Sequence, residues 1–385
     1  MKRISILVKP ASSFCNMRCK YCFYANVSSL REVRTFGNMT KETTEKMIEN
    51  LYKDLDDGDQ LTIGFQGGEP TMAGLPYYQH LMECIDKQSK NVHANFDIQT
   101  NGTLIDEKWC EFFKQYNFLV GLSIDAARKF HDTNRLDSCR KGTFDRVLKT
   151  KKLFDQYEIE YNVLTVLTEQ LSNHAEEVFT FLLENDIKYV QFIPCLDKLD
   201  KEPDEERSEY ALTPQGFHKF YSELLPLWLN ELKNKNYISI KYFDDIFNLI
   251  VRRQATACGI IGACQVQFVI EGDGSVYPCD FFALDEYRMG YIQQMGLKEL
   301  FYQKAAQAFL NSRKPADLPQ KCKTCKYYNI CRGGCKRMKD AQYVDETANF
   351  CGHQACLDEF IPEIDGIIDV IRAEESRIWW GKARV

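Results

Sequence analysis

The sequence predicts an α/β protein, a parallel sheet with helices outside it, followed by a smaller cysteine-rich region. Three observations carry this expectation. From residue 4 to about 243, short β-branched or aromatic runs alternate with amphipathic stretches. After about residue 250 the alternation stops, and Cys, Gly and turn signals such as Gly272-Asp273-Gly274 increase. Sixteen cysteines fall largely at the two ends of the chain.

The candidate strands, in order, are Ile4–Val8, Leu61–Phe65, Phe96–Thr100, Leu119–Ile124, Tyr161–Leu167 and Tyr189–Ile193. Each is a short run rich in residues that favour extended backbone. Helical periodicity lies between them, over Lys41–Leu55, Tyr77–Lys87, Lys108–Tyr116, Phe144–Tyr157 and Ala175–Glu184. Six strand–helix repeats imply a parallel sheet, because parallel neighbours need a crossover between them. A curved, partly closed barrel and an open doubly wound sheet both fit that pattern. Asp197–Glu209 is a polar, acidic surface loop. Pro214–Lys235 reads as a longer helix whose stripe of Phe217, Phe220, Tyr221, Leu224, Leu225 and Trp228 belongs to the core. A last helical pattern spans Ile361–Trp380. These divisions give a sheet-and-helix domain over 1–245, a cysteine-rich domain over 246–360 and a closing helix over 361–385.

The formal charge of −6 argues against nucleic-acid binding as the main activity. No apolar run reaches the roughly 18 residues of a membrane span. Met1-Lys2-Arg3 followed by Ile4–Val8 is too short for a signal peptide and is interrupted by Lys9-Pro10. We therefore expect a cytoplasmic protein. In that reducing compartment the cysteines serve metal ligation, catalysis or packing rather than disulfides.

Cys15, Cys19 and Cys22 follow the first candidate strand directly. Three thiolates converging from one loop leave one iron of a four-iron cluster open, since closure takes four cysteines. A zinc knuckle would need a fourth nearby ligand, and the first histidine is His80. Gln66-Gly67-Gly68-Glu69-Pro70 ends the second candidate strand; its glycines permit close backbone approach to a ligand, and Glu69 offers an anion for an ammonium group. Downstream lie Cys258, Cys264 and Cys279, then Cys322-x2-Cys325-x5-Cys331-x3-Cys335, then Cys351 and Cys356. A zinc ribbon uses four of these and leaves at least four without a role, whereas two four-cysteine clusters use eight. Cys84, Cys110, Cys139 and Cys195 stand isolated and read as packing or surface residues.

The C-x3-C-x2-C spacing with Tyr21 before its last cysteine, and the Gly-Gly-Glu-Pro string one β/α unit later, resemble the radical S-adenosylmethionine superfamily. Gly274-x4-Cys279 with the C-x2-C-x5-C-x3-C run resembles the auxiliary-cluster (SPASM) domain of its peptide-modifying members. The resemblance implies a partial (β/α)6 TIM-type barrel, S-adenosylmethionine, and three [4Fe-4S] clusters. One is held by Cys15, Cys19 and Cys22, one by Cys258, Cys264, Cys279 and Cys335, and one by Cys322, Cys325, Cys331 and Cys351, with Cys356 a substitute for Cys351 that spacing does not decide. Lys9-Pro10-Ala11-Ser12-Ser13, Cys22-Phe23-Tyr24, Phe65 to Thr71, Gln99 to Thr103 and Tyr277 to Phe281 are more closely similar to anaerobic sulfatase-maturating enzymes. That similarity implies oxidation of a Cys or Ser in a sulfatase, within a Cys/Ser-x-Pro-x-Arg motif, to Cα-formylglycine. It further implies a flavodoxin- or ferredoxin-type electron donor, Asp280 as base, and Tyr21, Gly68, Glu69, Ser123, Arg135 and Leu196 beside the cofactor. In one place the pattern departs: the family has Gly where Ala126 stands. The change is neutral if that residue keeps φ negative, and otherwise marks a subgroup. Two rivals remain at this stage, a radical maturase of ribosomal peptides and a zinc-stabilised binding scaffold. The first often carries a leader-binding domain, for which a strand starting at residue 4 leaves no room at the N-terminus.

Overall fold

A computed structural model describes residues 1–202, 204–312 and 314–375. All six expected strands form, as β1 (Arg3–Val8), β2 (Gln60–Phe65), β3 (His93–Thr100), β4 (Leu119–Ser123), β5 (Tyr161–Leu167) and β6 (Tyr189–Pro194). The expected helices form as α2 (Lys41–Lys53), α3 (Leu75–Asp86), α4 (Glu107–Gln115), α6 (Phe144–Tyr157), α7 (Ala175–Glu184) and α8 (Pro214–Lys233). Side chains set several starts. Thr40 Oγ1 accepts from Thr43 N at 3.1 Å and Asp106 Oδ1 from Trp109 N at 3.1 Å, each satisfying a first-turn donor that has no partner inside its helix. Two seven-residue helices, α1 (Phe23–Ser29) and α5 (Arg128–Asn134), are additions to the sequence reading. They are too short for an apolar period to show.

The chain forms two compact units, residues 1–164, 198–206 and 264–314 in the first and 165–197, 207–263 and 315–385 in the second. Neither unit follows the division near residue 245, which falls inside α9 (Lys241–Val251). In the first unit β1 pairs parallel with β2 from Arg3↔Gln60 to Val8↔Phe65, and β3, β4 and β5 continue the parallel order. Ile6, Val8, Leu61, Ile63, Phe65, Ile98, Val120 and Leu122 are buried, alternate residues that register on one face of the sheet. Phe65, Tyr78, Trp109 and Phe113 pack edge-on or tilted in the layer between sheet and helices.

Beyond β1 the same unit adds three strands that the alternating pattern does not reveal, β8 (Val269–Ile270), β9 (Ser275–Tyr277) and β10 (Gly290–Tyr291). Here β8 lies parallel to β1 (Leu7↔Val269), and β9 and β10 follow antiparallel. The Gly272-Asp273-Gly274 turn joins β8 to β9, with Gly274 at φ +83°. Strands of two or three residues carry no readable period, so the sequence assigns this stretch to a separate region.

In the second unit β6 pairs parallel with β7 (Ser239–Ile240). The α8 stripe is buried throughout, and Trp228 Nε1 donates to Ile238 O at 2.8 Å, as the core reading expects. The closing helix is described over Ile364–Glu375; residues 376–380 of the expected pattern lie outside the described residues. Among the described residues no helix is long and apolar enough to cross a membrane.

Candidate active site

The loop after β1 is fastened to the Gly67-Gly68-Glu69 segment after β2. Gly68 N donates to Ser12 O at 2.8 Å and Glu69 N to Phe14 O at 2.7 Å. A Cβ on Gly68 would lie 2.1 Å from Phe14 O, so only glycine allows this approach. The sequence reading attributed these glycines to close approach of a ligand; the structure shows a close approach of the two loops themselves. The fastening presents Cys15, Cys19 and Cys22. Cys22 caps α1, its Sγ accepting from Ala25 N at 3.4 Å, and Cys15 Sγ accepts from Met17 N at 3.4 Å. Burial pushes the Cys15 thiol up to about 11 and the Cys19 thiol up to about 12, and each is raised further by the charge of the neighbouring cysteines. Buried thiols whose ionisation is opposed in this way, as those of Cys15 and Cys19 are, fit a cationic cluster, which would hold them as thiolates. A tetrahedral zinc would draw its sulfurs to about 3.8 Å. Among the described residues, only the ligand atoms of Glu45, His80 and Cys84 form a group of three or more within 4.8 Å of one another. The Cys15–Cys19–Cys22 trio is therefore spaced more widely than a single ion needs.

Glu69 is fully buried and its carboxylate accepts four hydrogen bonds. Oε1 takes Thr71 N at 3.1 Å, Thr71 Oγ1 at 2.6 Å and Thr100 Oγ1 at 2.7 Å, and Oε2 takes Asn101 N at 2.8 Å. It ties the ends of β2 and β3 together, and an ammonium group there would share an already occupied acceptor. After β4, Asp125 accepts from the Tyr21 hydroxyl and lies 3.1 Å from Arg135 Nε, with the Arg135 guanidinium over the Tyr21 ring at 5.7 Å. Burial opposes the Arg135 charge, but Asp125 and Tyr21 more than offset it, so the guanidinium titrates above its ordinary range. His131 stands behind this pair. Its Nδ1 accepts from Asp125 N at 3.2 Å, its Nε2 meets Thr143 Oγ1 at 3.0 Å, and Thr143 Oγ1 donates to Arg135 O at 2.9 Å. Burial holds the imidazole well below its usual value, as a neutral donor and acceptor requires. Ser123 ends β4, half-buried, near the start of this network.

Asp280 stands in a short turn after Cys279, and Lys9 Nζ lies 2.6 Å from its Oδ1. Lys9 is completely buried, 3.6 Å from Glu271 Oε1 and 3.6 Å from the centroid of the Tyr24 ring. Arg31 Nη1 meets the same Glu271 oxygen at 2.7 Å, and Tyr24 donates its hydroxyl to it. Burial opposes the Glu271 charge, yet Lys9 and Arg31 prevail and hold the carboxyl below its usual range. Two cations and two carboxylates thus balance in a dry pocket. The adjoining residues also pack together, since the rings of Phe23 and Phe281 meet edge-on at 5.0 Å. Phe23 follows Cys22 and Phe281 follows Asp280, so the cysteine loop and Asp280 share one unit and one packing contact.

In the second unit Cys322, Cys325, Cys331 and Cys351 line one cavity with Tyr328, Tyr343 and His353. Burial pushes Cys331 up to about 11 and Cys351 up to about 12, and the other cavity thiols raise both further. Cys356 does not line it; it is buried beside Tyr242 and Tyr221. Cys335 belongs to the same unit, where a Cβ on Gly259, the neighbour of Cys258, would lie 2.7 Å from Cys335 Cβ. Cys264 and Cys279 belong to the first unit, whose Gln267 N donates to Pro278 O at 2.8 Å. Leu196 follows β6 in the second unit and is buried.

Residues 10–182 match the model of the Radical SAM superfamily, and residues 258–326 match that of an iron–sulfur cluster-binding domain, SPASM. A cysteine-type anaerobic sulfatase-maturating enzyme of Clostridium novyi is 39% identical over 91% of this chain and 93% of its own. The chain belongs to the anaerobic sulfatase-maturating enzymes. It is accordingly a radical S-adenosylmethionine oxidoreductase with an α/β fold and a C-terminal SPASM domain, and the zinc-scaffold alternative gives way. A serine-type sulfatase-maturating enzyme of Bacteroides thetaiotaomicron is 29% identical over 89% of this chain and 85% of its own. Among solved structures, native anSMEcpe with bound AdoMet and Kp18Cys peptide superposes with a TM-score of 0.86 at 37% identity, covering 95% of this chain and 99% of that one.

Ala126, where the sequence reading expected glycine, has a backbone conformation with a physical consequence. It adopts φ +50° and is buried, so the condition for a neutral exchange, a negative φ, is not met. An alanine there carries strain that glycine would not, roughly 1–2 kcal/mol. Sequence reading also missed Lys9, Glu271, Arg31 and Asp125. Lys9 stood inside a quoted motif, and its pairing with a residue 271 positions later had no local signal.

Proposed function

We propose that this chain oxidises an active-site cysteine of a sulfatase, within a Cys-x-Pro-x-Arg motif, to Cα-formylglycine. The observation that carries the reading is Asp280, held at 2.6 Å by the buried Lys9 in the unit that presents Cys15, Cys19 and Cys22. Those three cysteines would hold the cluster that binds S-adenosylmethionine; Cys322, Cys325, Cys331 and Cys351 would hold an auxiliary cluster. When bound, these groups supply a 5′-deoxyadenosyl radical that removes one hydrogen atom from the substrate Cβ, and an acceptor for the second electron. The chain's own part is the proton. Asp280, oriented by Lys9, accepts the thiol proton as the carbon–sulfur double bond forms. Water then converts the thioaldehyde to the aldehyde with release of hydrogen sulfide. Tyr21, Gly68, Ser123 and Arg135 would border the cofactor, with Glu69 bracing the loop. Cysteine is favoured over serine because the cysteine-type relative is 39% identical and the serine-type one 29%.

The test uses anaerobically reconstituted protein, reductant such as reduced flavodoxin, S-adenosylmethionine and an 18-residue peptide carrying Cys-x-Pro-x-Arg. Aldehyde should appear together with 5′-deoxyadenosine, faster than with the Ser peptide. Deoxyadenosine without aldehyde from either peptide would overturn the substrate and point to another peptide-modifying reaction.

A further inference from the structure

Cys84, which stands isolated in the sequence, is not isolated in space. It lies one helical turn after His80 on α3, so both side chains project on the same face. There they meet Glu45 of α2. Nε2 of His80 is 3.2 Å from Glu45 Oε1 and 3.6 Å from Cys84 Sγ, and the three ligand atoms all lie within 4.8 Å of one another. The other ring nitrogen, Nδ1, faces Glu83 Oε2 at 3.8 Å. A carboxylate on that side favours the proton on Nδ1, which turns the Nε2 lone pair toward Glu45 and Cys84. The Cys84 thiol proton can then serve that lone pair, but Glu45 Oε1, 3.2 Å from the same nitrogen, is left facing an acceptor, a contact that a bound cation would relieve. A single proton on Nε2 serves Glu45 or Cys84 but cannot point at both.

We infer that Glu45, His80 and Cys84 form a zinc site on the outer face of the first unit, separate from the iron–sulfur cysteines. A tetrahedral zinc sets nitrogen and oxygen ligands about 3.3 Å apart and nitrogen and sulfur ligands about 3.5 Å apart. The observed 3.2 and 3.6 Å match both. One thiolate and one carboxylate neutralise the divalent ion, so the partly buried site carries no net charge. Cys84 is buried, the His80 side chain is 12% exposed and that of Glu45 is 52% exposed, which leaves the fourth position to water. The ion would pin the middle of α3, the helix that follows the Gly67-Gly68-Glu69-Pro70 segment, to α2. Its role is that of a staple, and it takes no part in the radical chemistry.

The experiment is metal analysis of the anaerobically reconstituted holoenzyme, incubated with zinc and freed of loose metal by gel filtration. Zinc and iron are measured by mass spectrometry in the same sample. The wild type should retain one zinc per chain more than Glu45→Gln and His80→Ala, at equal iron and with unchanged deoxyadenosine formation. Glu83→Gln should keep the ion but weaken it about 10- to 100-fold in chelator competition. Glu45→Gln alters a half-exposed side chain, so it reports binding even if His80→Ala folds poorly. No retained zinc in the wild type, or equal zinc in wild type and variants, overturns the site.

Discussion

The two cysteine-lined regions differ in count, burial and company. In the first unit three cysteines stand on one loop, Cys22 exposed and Cys15 and Cys19 half-buried, beside a charged network of Arg135, Asp125 and Tyr21. In the second unit four cysteines line a cavity; Cys322, Cys331 and Cys351 are buried, and the company is Tyr328, Tyr343 and His353. A four-iron cluster with three protein ligands keeps a reactive corner, and one with four is closed. The open trio lies where small charged molecules can reach it and oriented charges can hold them. The closed quartet lies among aromatic rings that keep water away. On the proposed assignment, the contrast teaches that exposure and polarity, as much as ligand count, would separate a site that does chemistry from one that moves electrons.

The sharpest way to break the contrast is Cys19→Ala. Iron should fall by about four atoms per chain, and both deoxyadenosine and aldehyde should vanish, because the reactive corner is lost. Next comes Asp280→Asn. Aldehyde formation should drop about 10²- to 10⁴-fold while deoxyadenosine and iron are retained. Lys9→Met should lower the yield of aldehyde per deoxyadenosine and destabilise the fold by about 3 kcal/mol, since it leaves two carboxylates short of a cation. Combined with Asp280→Asn it should cause no further loss of yield, the signature of a residue that acts through another. In the closed quartet, Cys351→Ala should remove about four irons and leave deoxyadenosine formation measurable, whereas Cys356→Ala should keep full iron content. Iron loss in Cys356→Ala with full iron in Cys351→Ala would exchange their roles.

Smaller effects probe the network behind the open trio. His131 is held neutral by burial, so the folded chain refuses a proton that the unfolded chain accepts below about pH 6.5. The unfolded state then binds more protons, and stability should fall as the pH drops below 6.5. His131→Gln should flatten that dependence in thermal melts. Ala126→Gly should give the smallest change, a stabilisation below about 1 kcal/mol in urea titrations, as relief of the positive φ is partly cancelled by glycine's greater freedom when unfolded.

Much of this molecule is legible along the chain. The β-branched runs and helical periods locate six strands and six long helices to within a few residues, because those signals come from neighbours two to four positions apart. The grouping of Cys15, Cys19 and Cys22 is legible for the same reason: one loop supplies all three. Other features needed the folded chain. Lys9 meets Asp280 because β8 pairs with β1 and brings residue 270 beside residue 9, a register that two-residue strands do not advertise. Cys351 joins the cavity while Cys356 turns to Tyr242, although they stand only five positions apart and neither spacing is excluded. Glu45 reaches His80 and Cys84 only through the packing of α2 on α3. Ala126 shows its strain only when its φ is known. Residue types and spacings determined the kind of chemistry, since ligands and periods are local. Partners distant along the chain were decided by tertiary structure, because a contact between residues 9 and 280 depends on every register between them.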